Sequence, residues 1–307
     1  MENSQSSSFS LPLRGVIPPM VTPLNEDYSL DTESLEKLIH HILKGGVKGL
    51  FILGTTGEGP SLPYQLRHEM VQEVCRIVAS RVPVLVCITD TIFSEAIRLA
   101  HKAHEAGAAA VVTAPPYYFP LNATDLYQYI EQMAAALPLP LFLYNIPSHT
   151  KTAFSDETIL KAAKLSNVIG YKDSTCDMLG FHRLHPLLDV NFTQLIGPEE
   201  LLGEFVLMGG HGGVSGGANV FPKLYTSLCQ AALQGDIEKV VKLQNKVGEV
   251  SATLYSLDGQ SGTSVLQGIK LALSVMGICQ EHLAPPLRQL GKEKKNMVEK
   301  FLNAFNF

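Results

Sequence analysis

The sequence predicts an α/β fold built on a parallel sheet, and three observations predict it. Short apolar runs rich in β-branched residues recur along the chain, each is followed by a stretch with helical periodicity, and the runs lack alternation between apolar and polar residues. The runs are Gly15–Val21, Gly49–Leu53, Val84–Ile88, Ala109–Thr113, Leu141–Tyr144, Val168–Lys172, Phe192–Ile196 and Gly212–Ser215. Near-continuous apolar strands are buried on both faces, which is the property of a parallel sheet covered by helices. Eight such strands closed on themselves give a (β/α)8 TIM barrel. An open doubly wound sheet is the competing arrangement. It favours Gly-x-Gly-x-x-Gly after its first strand, whereas Gly15–Val21 leads into Thr22-Pro23-Leu24.

The helices follow from periodicity and end signals. After Ser29-Leu30-Asp31, the apolar residues Leu35, Leu38, Ile39, Ile42 and Leu43 fall on one helical face, and Gly45-Gly46 ends the pattern. Thr91–Ala106 reads as a helix stopped by Gly107, and Ser155-Asp156-Glu157 opens another with acids suited to a helix N-terminus. After Val220 the alternation ceases. Residues Pro222–Gly235, Asp236–Leu257, Thr263–Gly277 and Lys292–Phe305 all read as helices. The expected organisation is a disordered Ser-rich tail over 1–10, a barrel over 11–221 and a helical C-terminal extension over 222–307.

Composition narrows the function. The chain has 307 residues, 46 % hydrophobic and 17 % charged, with a net charge of −5. No uncharged apolar stretch of about 18 residues spans a membrane, no secretory signal is visible at the N-terminus, and no basic stripe marks a nucleic-acid surface. The five cysteines, 75, 87, 176, 229 and 279, are widely spaced, which fits a reducing cytoplasmic setting. The pairs His101/His104 and His182/His185 have metal-like spacing but fall on helices away from strand ends, so they are read as exposed helical histidines and no metal site is expected.

Barrel chemistry sits at the C-terminal ends of the strands. Those ends carry Gly54-Thr55-Thr56-Gly57-Glu58, Pro116-Tyr117-Tyr118, Tyr144-Asn145-Ile146-Pro147, Tyr171-Lys172-Asp173-Ser174 and the glycine-rich Gly209–Gly217. Lys172 ends an apolar run. In a dry site its ammonium is disfavoured, and the free amine becomes a nucleophile able to form a Schiff base. Spacing alone leaves two alternatives open, a side chain snorkelling to solvent or one paired with Asp173. Tyr144, one strand away, is placed to move protons, with the Thr55 hydroxyl and either Tyr117 or Tyr118 as a relay. Gly54–Gly57 reads as a nest of backbone N–H groups for a carboxylate or as an ordinary turn. Cys176 is read as a packing residue, and the place of His211 stays open.

Taken together, these five motifs resemble the dihydrodipicolinate synthase / N-acetylneuraminate lyase family of pyruvate-dependent class I aldolases, in order and at matching spacing from about Arg14 to the C-terminal helices. The resemblance implies that Lys172 is the Schiff-base lysine, Tyr144 the proton-shuttling tyrosine, and Thr55 its link to a tyrosine lent by a neighbouring subunit, Tyr118. It implies that Thr56 and the Thr55 backbone cradle the pyruvate carboxylate and that the Val214 carbonyl faces substrate. It also implies a homodimer or homotetramer and no cofactor beyond the covalent adduct. In the synthase branch an arginine follows the Tyr-Asn-x-Pro motif to hold the aldehyde's carboxylate. Here His149 follows, and a neutral imidazole cannot reproduce that bidentate pair. In the lyase branch, acids after the seventh strand bind sugar hydroxyls, and Gly197-Pro198-Glu199-Glu200 stands at the comparable place. The expectation is a lyase joining or splitting pyruvate, or another 2-oxo acid, and an uncharged or hydroxylated aldehyde. Dihydrodipicolinate synthase itself, a metal-dependent barrel aldolase and a non-catalytic 2-oxo-acid-binding barrel are the alternatives.

Overall fold

The computed structural model describes residues 9–259 and 263–307. The expected tail over 1–10 therefore lies outside the described residues except for Phe9 and Ser10. Eight strands form, β1 Gly15–Val16, β2 Leu50–Ile52, β3 Val84–Cys87, β4 Ala110–Thr113, β5 Leu141–Asn145, β6 Val168–Asp173, β7 Thr193–Ile196 and β8 Gly212–Gly213. Their spatial order is β1-β8-β7-β6-β5-β4-β3-β2, with parallel pairing throughout. The ring closes between β1 and β2 through a Pro19–Phe51 bridge. Backbone bonds from Phe51 N to Pro18 O (3.0 Å) and from Met20 N to Phe51 O (2.8 Å) hold that seam. The first strand is shorter than the run Gly15–Val21 predicts because Pro18 and Pro19 have no N–H to give a ladder.

Twelve helices surround and follow the sheet among the described residues: α1 Thr32–Lys44, α2 Tyr64–Val78, α3 Phe93–Glu105, α4 Ala123–Ala136, α5 Pro147–Thr150, α6 Asp156–Ala162, α7 Met178–Leu184, α8 Leu202–Leu207, α9 Pro222–Leu233, α10 Ile237–Leu254, α11 Ser264–Val275 and α12 Lys292–Ala304. Asp31, Asn122, Ser155 and Asp236 each accept a backbone N–H at the start of α1, α4, α6 and α10. Such a cap contributes about 1 kcal/mol. The apolar stripe of α1 is buried as the spacing predicts, with Leu35, Leu38, Ile39 and Ile42 fully enclosed.

The boundary expected at 221/222 falls at the start of α9. Helix α9 packs on α10, α8, β1 and α1, the Thr226 hydroxyl donates to Gly45 O at 2.7 Å, and Leu224, Tyr225 and Leu228 are buried. It is the helix that follows β8, and it joins α1 and α8 to α10 of the extension. Amphipathic periodicity tells that a helix has an apolar partner, not which layer supplies it. The extension docks over the strand C-termini. Gln244 on α10 brackets the turn after β7, donating to Glu199 O at 3.0 Å and accepting from Gly203 N at 2.9 Å. No helix among the described residues is long and apolar enough to cross a membrane.

Candidate active site

Side chains on a strand alternate between faces, and this sorts the β5 and β6 ends. Asn145, Tyr171 and Asp173 point outward to the helical layer, where Asp173 accepts from the Tyr171 hydroxyl (2.8 Å), Asn145 Nδ2 (3.0 Å) and the Thr175 hydroxyl (2.7 Å). Tyr144 and Lys172 point inward. They are register partners across β5 and β6. Both alternatives for Lys172 fall away, because Asp173 is committed on the other face and Lys172 is only 6 % exposed. Its Nζ stands 3.9 Å from the Tyr144 ring centroid and 5.0 Å from that of Phe51. The two rings meet edge to face at 6.2 Å. The amine is thus held against aromatic faces at the barrel mouth, a cation–π arrangement that fixes its position.

A cavity of about 240 Å³ opens over Lys172, and Thr55, Thr56, Tyr144, His149, Gly197, Glu199, Glu200 and Val214 all line it. An adjoining cavity of about 270 Å³ shares Thr55, Tyr144, Ile146, His149 and Leu266, and its remaining wall is mostly apolar. The loop after β2 carries Thr55 and Thr56. It folds back on itself through Glu58 N to Thr55 O (3.1 Å) and Gly59 N to Gly54 O (3.2 Å), and the Thr22 hydroxyl donates to Gly57 O at 2.7 Å. Gly197 lies close against the end of β6, where a Cβ would displace the Ser174 hydroxyl and crowd Asp173 O. Its N–H donates to Asp173 O at 2.6 Å, which brings the turn after β7 to the chamber.

The two glutamates are not equivalent. Glu200 is exposed and lines the chamber, whereas Glu199 is 3 % exposed. Its carboxyl is occupied by the hydroxyls of Tyr225 and Tyr255 (the latter at 2.7 Å) and by Gly217 N at 2.9 Å. Burial pushes Glu199 up to about 7, against the lowering effect of the bonds from Tyr225, Gly217 and Tyr255. His149 is drawn below the usual histidine range by partial burial and by the nearby Lys172 charge, both of which favour its neutral imidazole. Among the described residues lining the two cavities, Lys172 is the one lysine or arginine.

Tyr118 stands apart from the other predicted site residues. It is 72 % exposed, stacked edge-on against the 73 % exposed Phe119, and lines neither cavity, whereas Tyr117 lines the second. Cys176 is exposed rather than packed and is absent from the chamber wall. Of the glycine-rich run, Val214 and Gly216 reach the chamber. His211 precedes β8 at the opposite end of the barrel, where its Nδ1 accepts from Gln194 N at 2.9 Å and burial pushes it down to about 4. His101, His104 and His182 are exposed, as expected, but His185 is half-buried in a 3-10 turn and bonded to Gln194 at 3.0 Å. Among the described residues no group of three or more His, Cys, Asp or Glu side chains is placed to hold a metal ion.

Sequence reasoning missed the contribution of the extension. Val265 and Leu266 on α11 and Tyr255 after α10 line the Lys172 chamber, and Lys270 on α11 forms a buried ion pair with Glu58. A signal was present for the last of these. Lys270 is the single charge in the run Val265–Met276, and an unpaired lysine is almost never buried.

The chamber offers a buried primary amine, a phenol on the neighbouring strand and a hydroxyl-bearing loop, which together can add an amine to a carbonyl and move the protons involved. Known proteins share this frame. The 4-hydroxy-tetrahydrodipicolinate synthase of Neisseria meningitidis serogroup B is 31 % identical over 292 residues, covering 95 % of this chain and 98 % of that relative. The enzyme of the same name from Coxiella burnetii is 32 % identical over 278 residues, 91 % and 93 % of the two chains. The solved dihydrodipicolinate synthase of Bacteroides thetaiotaomicron is 48 % identical with a TM-score of 0.93, over 97 % of this chain and 100 % of that one. A prophage protein of the dihydrodipicolinic acid synthase family from E. coli K12, solved in complex with pyruvate, is 30 % identical with a TM-score of 0.89, over 95 % and 98 %. The model of the dihydrodipicolinate synthetase family matches residues 12–305, and the chain belongs to that family.

Proposed function

We propose that this lyase uses Lys172 to bind pyruvate, or another 2-oxo acid, as a Schiff base and exchanges a carbon–carbon bond with an uncharged aldehyde. The observation that carries the reading is the enclosed Lys172 amine beside its register partner Tyr144 at the strand ends. The free amine attacks the ketone carbon. A C–N bond forms, the carbonyl oxygen takes two protons and leaves as water, and an iminium remains. The iminium accepts the electron pair released when a proton leaves the methyl group, giving an enamine. That enamine attacks the aldehyde carbon, whose oxygen takes up a proton. Water then releases Lys172, and cleavage runs the same steps in reverse.

In this reading Tyr144 and Thr55 carry protons, Thr56 with the Thr55 backbone holds the carboxylate, and the Val214 carbonyl, Gly197, Glu200 and His149 face the aldehyde. Glu199 braces the turn after β7 through its phenol partners. The covalent adduct replaces any cofactor. Tyr118, exposed and remote from its own chamber, completes the relay in a second copy of the chain, so the working unit is a homodimer or a pair of them. The protein acts in the cytoplasm.

A second reading, condensation of pyruvate with aspartate semialdehyde, is favoured by the names of the relatives. Against it stands the chamber wall, which among the described residues has no lysine or arginine besides Lys172 for a second carboxylate. The deciding experiment is incubation with pyruvate, borohydride reduction and peptide mapping, followed by an aldehyde screen that includes aspartate semialdehyde. The expected result is an adduct on Lys172 that Lys172→Ala lacks, with turnover greatest on neutral aldehydes. A parent protein with no adduct from any 2-oxo acid sinks the mechanism, leaving a binding barrel.

A further inference from the structure

The loop that carries Thr55 and Thr56 has an unfavourable backbone. Leu53 and Glu58, neither of them glycine, bracket it in the left-handed region at φ 59° each. At the next position, Gly59, a Cβ would collide with Leu53 O. Conformations of this kind persist only where the surroundings over-determine them. The Glu58 side chain supplies that constraint. One of its carboxylate oxygens pairs with Lys270 Nζ, both side chains being 0 % exposed. The other accepts from Ala284 N at 2.7 Å. Lys270 in turn donates to His282 O at 2.5 Å. Burial draws the Lys270 ammonium down and the Glu58 charge opposes this, as a paired buried lysine requires.

The three other members of this cluster, Lys270, His282 and Ala284, belong to the C-terminal extension and line neither cavity, while Glu58 itself lines the adjoining one. The same helix that bears Lys270 presents Val265 and Leu266 to it. The cluster therefore ties two walls of one cavity together, the Thr55–Thr56 loop from the barrel and the α11 wall from the extension. From this geometry we propose that Glu58 and Lys270 are positioning residues, a buried electrostatic latch by which the extension holds the substrate-carboxylate cradle in its bound form. The inference rests on the Schiff-base reading and adds to it a role for groups that contact no reacting atom.

The test uses the full chain and reads the pyruvate concentration that half-saturates the borohydride-trapped Lys172 adduct, beside the melting temperature. Three variants are compared, Glu58→Gln, Lys270→Met and the double substitution. Glu58→Gln keeps the side-chain shape and the oxygen that accepts from Ala284 N. Breaking a buried pair on one side strands a charge, whereas replacing both members is often tolerated. The double variant should therefore melt above Lys270→Met. Its half-saturating pyruvate should nevertheless stay raised by about tenfold to a hundredfold, the scale on which a small misplacement in a site is felt. The adduct yield at saturating pyruvate should stay near that of the parent. Should Lys270→Met fail to fold, Glu58→Gln carries the same comparison alone. Half-saturation indistinguishable from the parent in folded variants overturns the latch and leaves the Schiff-base reading intact. Absence of an adduct in the parent overturns both.

Discussion

Tyr144→Phe separates the two things that Tyr144 offers Lys172. The Lys172 Nζ lies 3.9 Å from the ring centroid, so the contact that positions it is made to the ring, which phenylalanine retains. Phe51 still meets that ring edge to face, as it does at 6.2 Å in the parent. The variant therefore removes a hydroxyl and little else. A positioned proton-transfer group contributes about 10²–10⁴-fold, or roughly 3–5 kcal/mol of barrier. The assay needs no knowledge of the aldehyde, because proton loss from the bound iminium exchanges the pyruvate methyl hydrogens with solvent. In deuterated water, loss of the methyl proton signal should slow by about 10²–10⁴-fold. The adduct trapped after long incubation should reach the parent's yield, since Lys172 keeps its place. Exchange at the parent rate would refute the shuttle and move that role to Thr55 or another group. An adduct lost along with exchange would show that the hydroxyl itself positions Lys172, contrary to the geometry.

Three further outcomes follow from the same site. Glu199, near 7 in the folded chain against an ordinary 4.5, keeps a proton that the unfolded chain releases between those values. Its contribution is present below about 4.5 and is lost as pH rises to about 7, some ~3 kcal/mol in all. Glu199→Gln cannot titrate, so its urea-derived stability relative to the parent should rise by that amount over the window, and a constant difference would contradict the buried neutral carboxyl. His149→Arg places a guanidinium where the chamber now has a neutral imidazole. A charge-assisted bond of about 1.5–3 kcal/mol should raise kcat/KM for aspartate semialdehyde about tenfold or more and leave neutral aldehydes unchanged; equal effects on both would refute the charge argument. If Tyr118 serves a second copy, a mixture of inactive Lys172→Ala and Tyr118→Phe chains should regain turnover through hybrid dimers, and a mixture no better than its components would place Tyr118 outside the relay.

The sheet was legible because its strands are buried on both faces, which leaves apolar runs too continuous for a half-exposed strand. The helix starts at Asp31, Ser155 and Asp236 were legible because a capping side chain is a local device. Lys172 stood out for the related reason that its charge ends an apolar run. What the sequence withheld was long-range. Nothing around Pro222 tells that α9 packs against α1 and α8 as well as against α10, since α1 and α9 meet only when the barrel closes. Glu199 and Glu200 look alike as neighbours in a chain. They part only because Tyr225 on α9 and Tyr255 just after α10 arrive to occupy one of them. Glu58 and Lys270 are each ordinary in their own segment, and their pairing depends on how α11 settles on the strand ends.

The charges of the chamber argue for a division of labour between barrel and extension. Pyruvate brings one carboxylate and one ketone. In the proposed reaction the barrel answers both, with the Thr55–Thr56 loop for the first and Lys172 for the second, so the step common to any partner is served by strand-end residues. The second substrate meets a different surface. Leu266 lines both cavities, joined by Val265 in one and by Leu287 in the other, and all three come from the extension. Opposite them stand the neutral His149 and the acidic Glu200. A carboxylate entering that space would give up water without gaining a cation, at a cost that hydroxyl or apolar groups do not incur. Because the segment that shapes this wall also carries Lys270, a change in the extension that displaced α11 as a whole would, on the proposed reading, also loosen the pyruvate cradle. Substitutions at Val265 or Leu266, which leave the Glu58–Lys270 pair in place, are the changes that can alter partner choice while keeping the first half of the reaction.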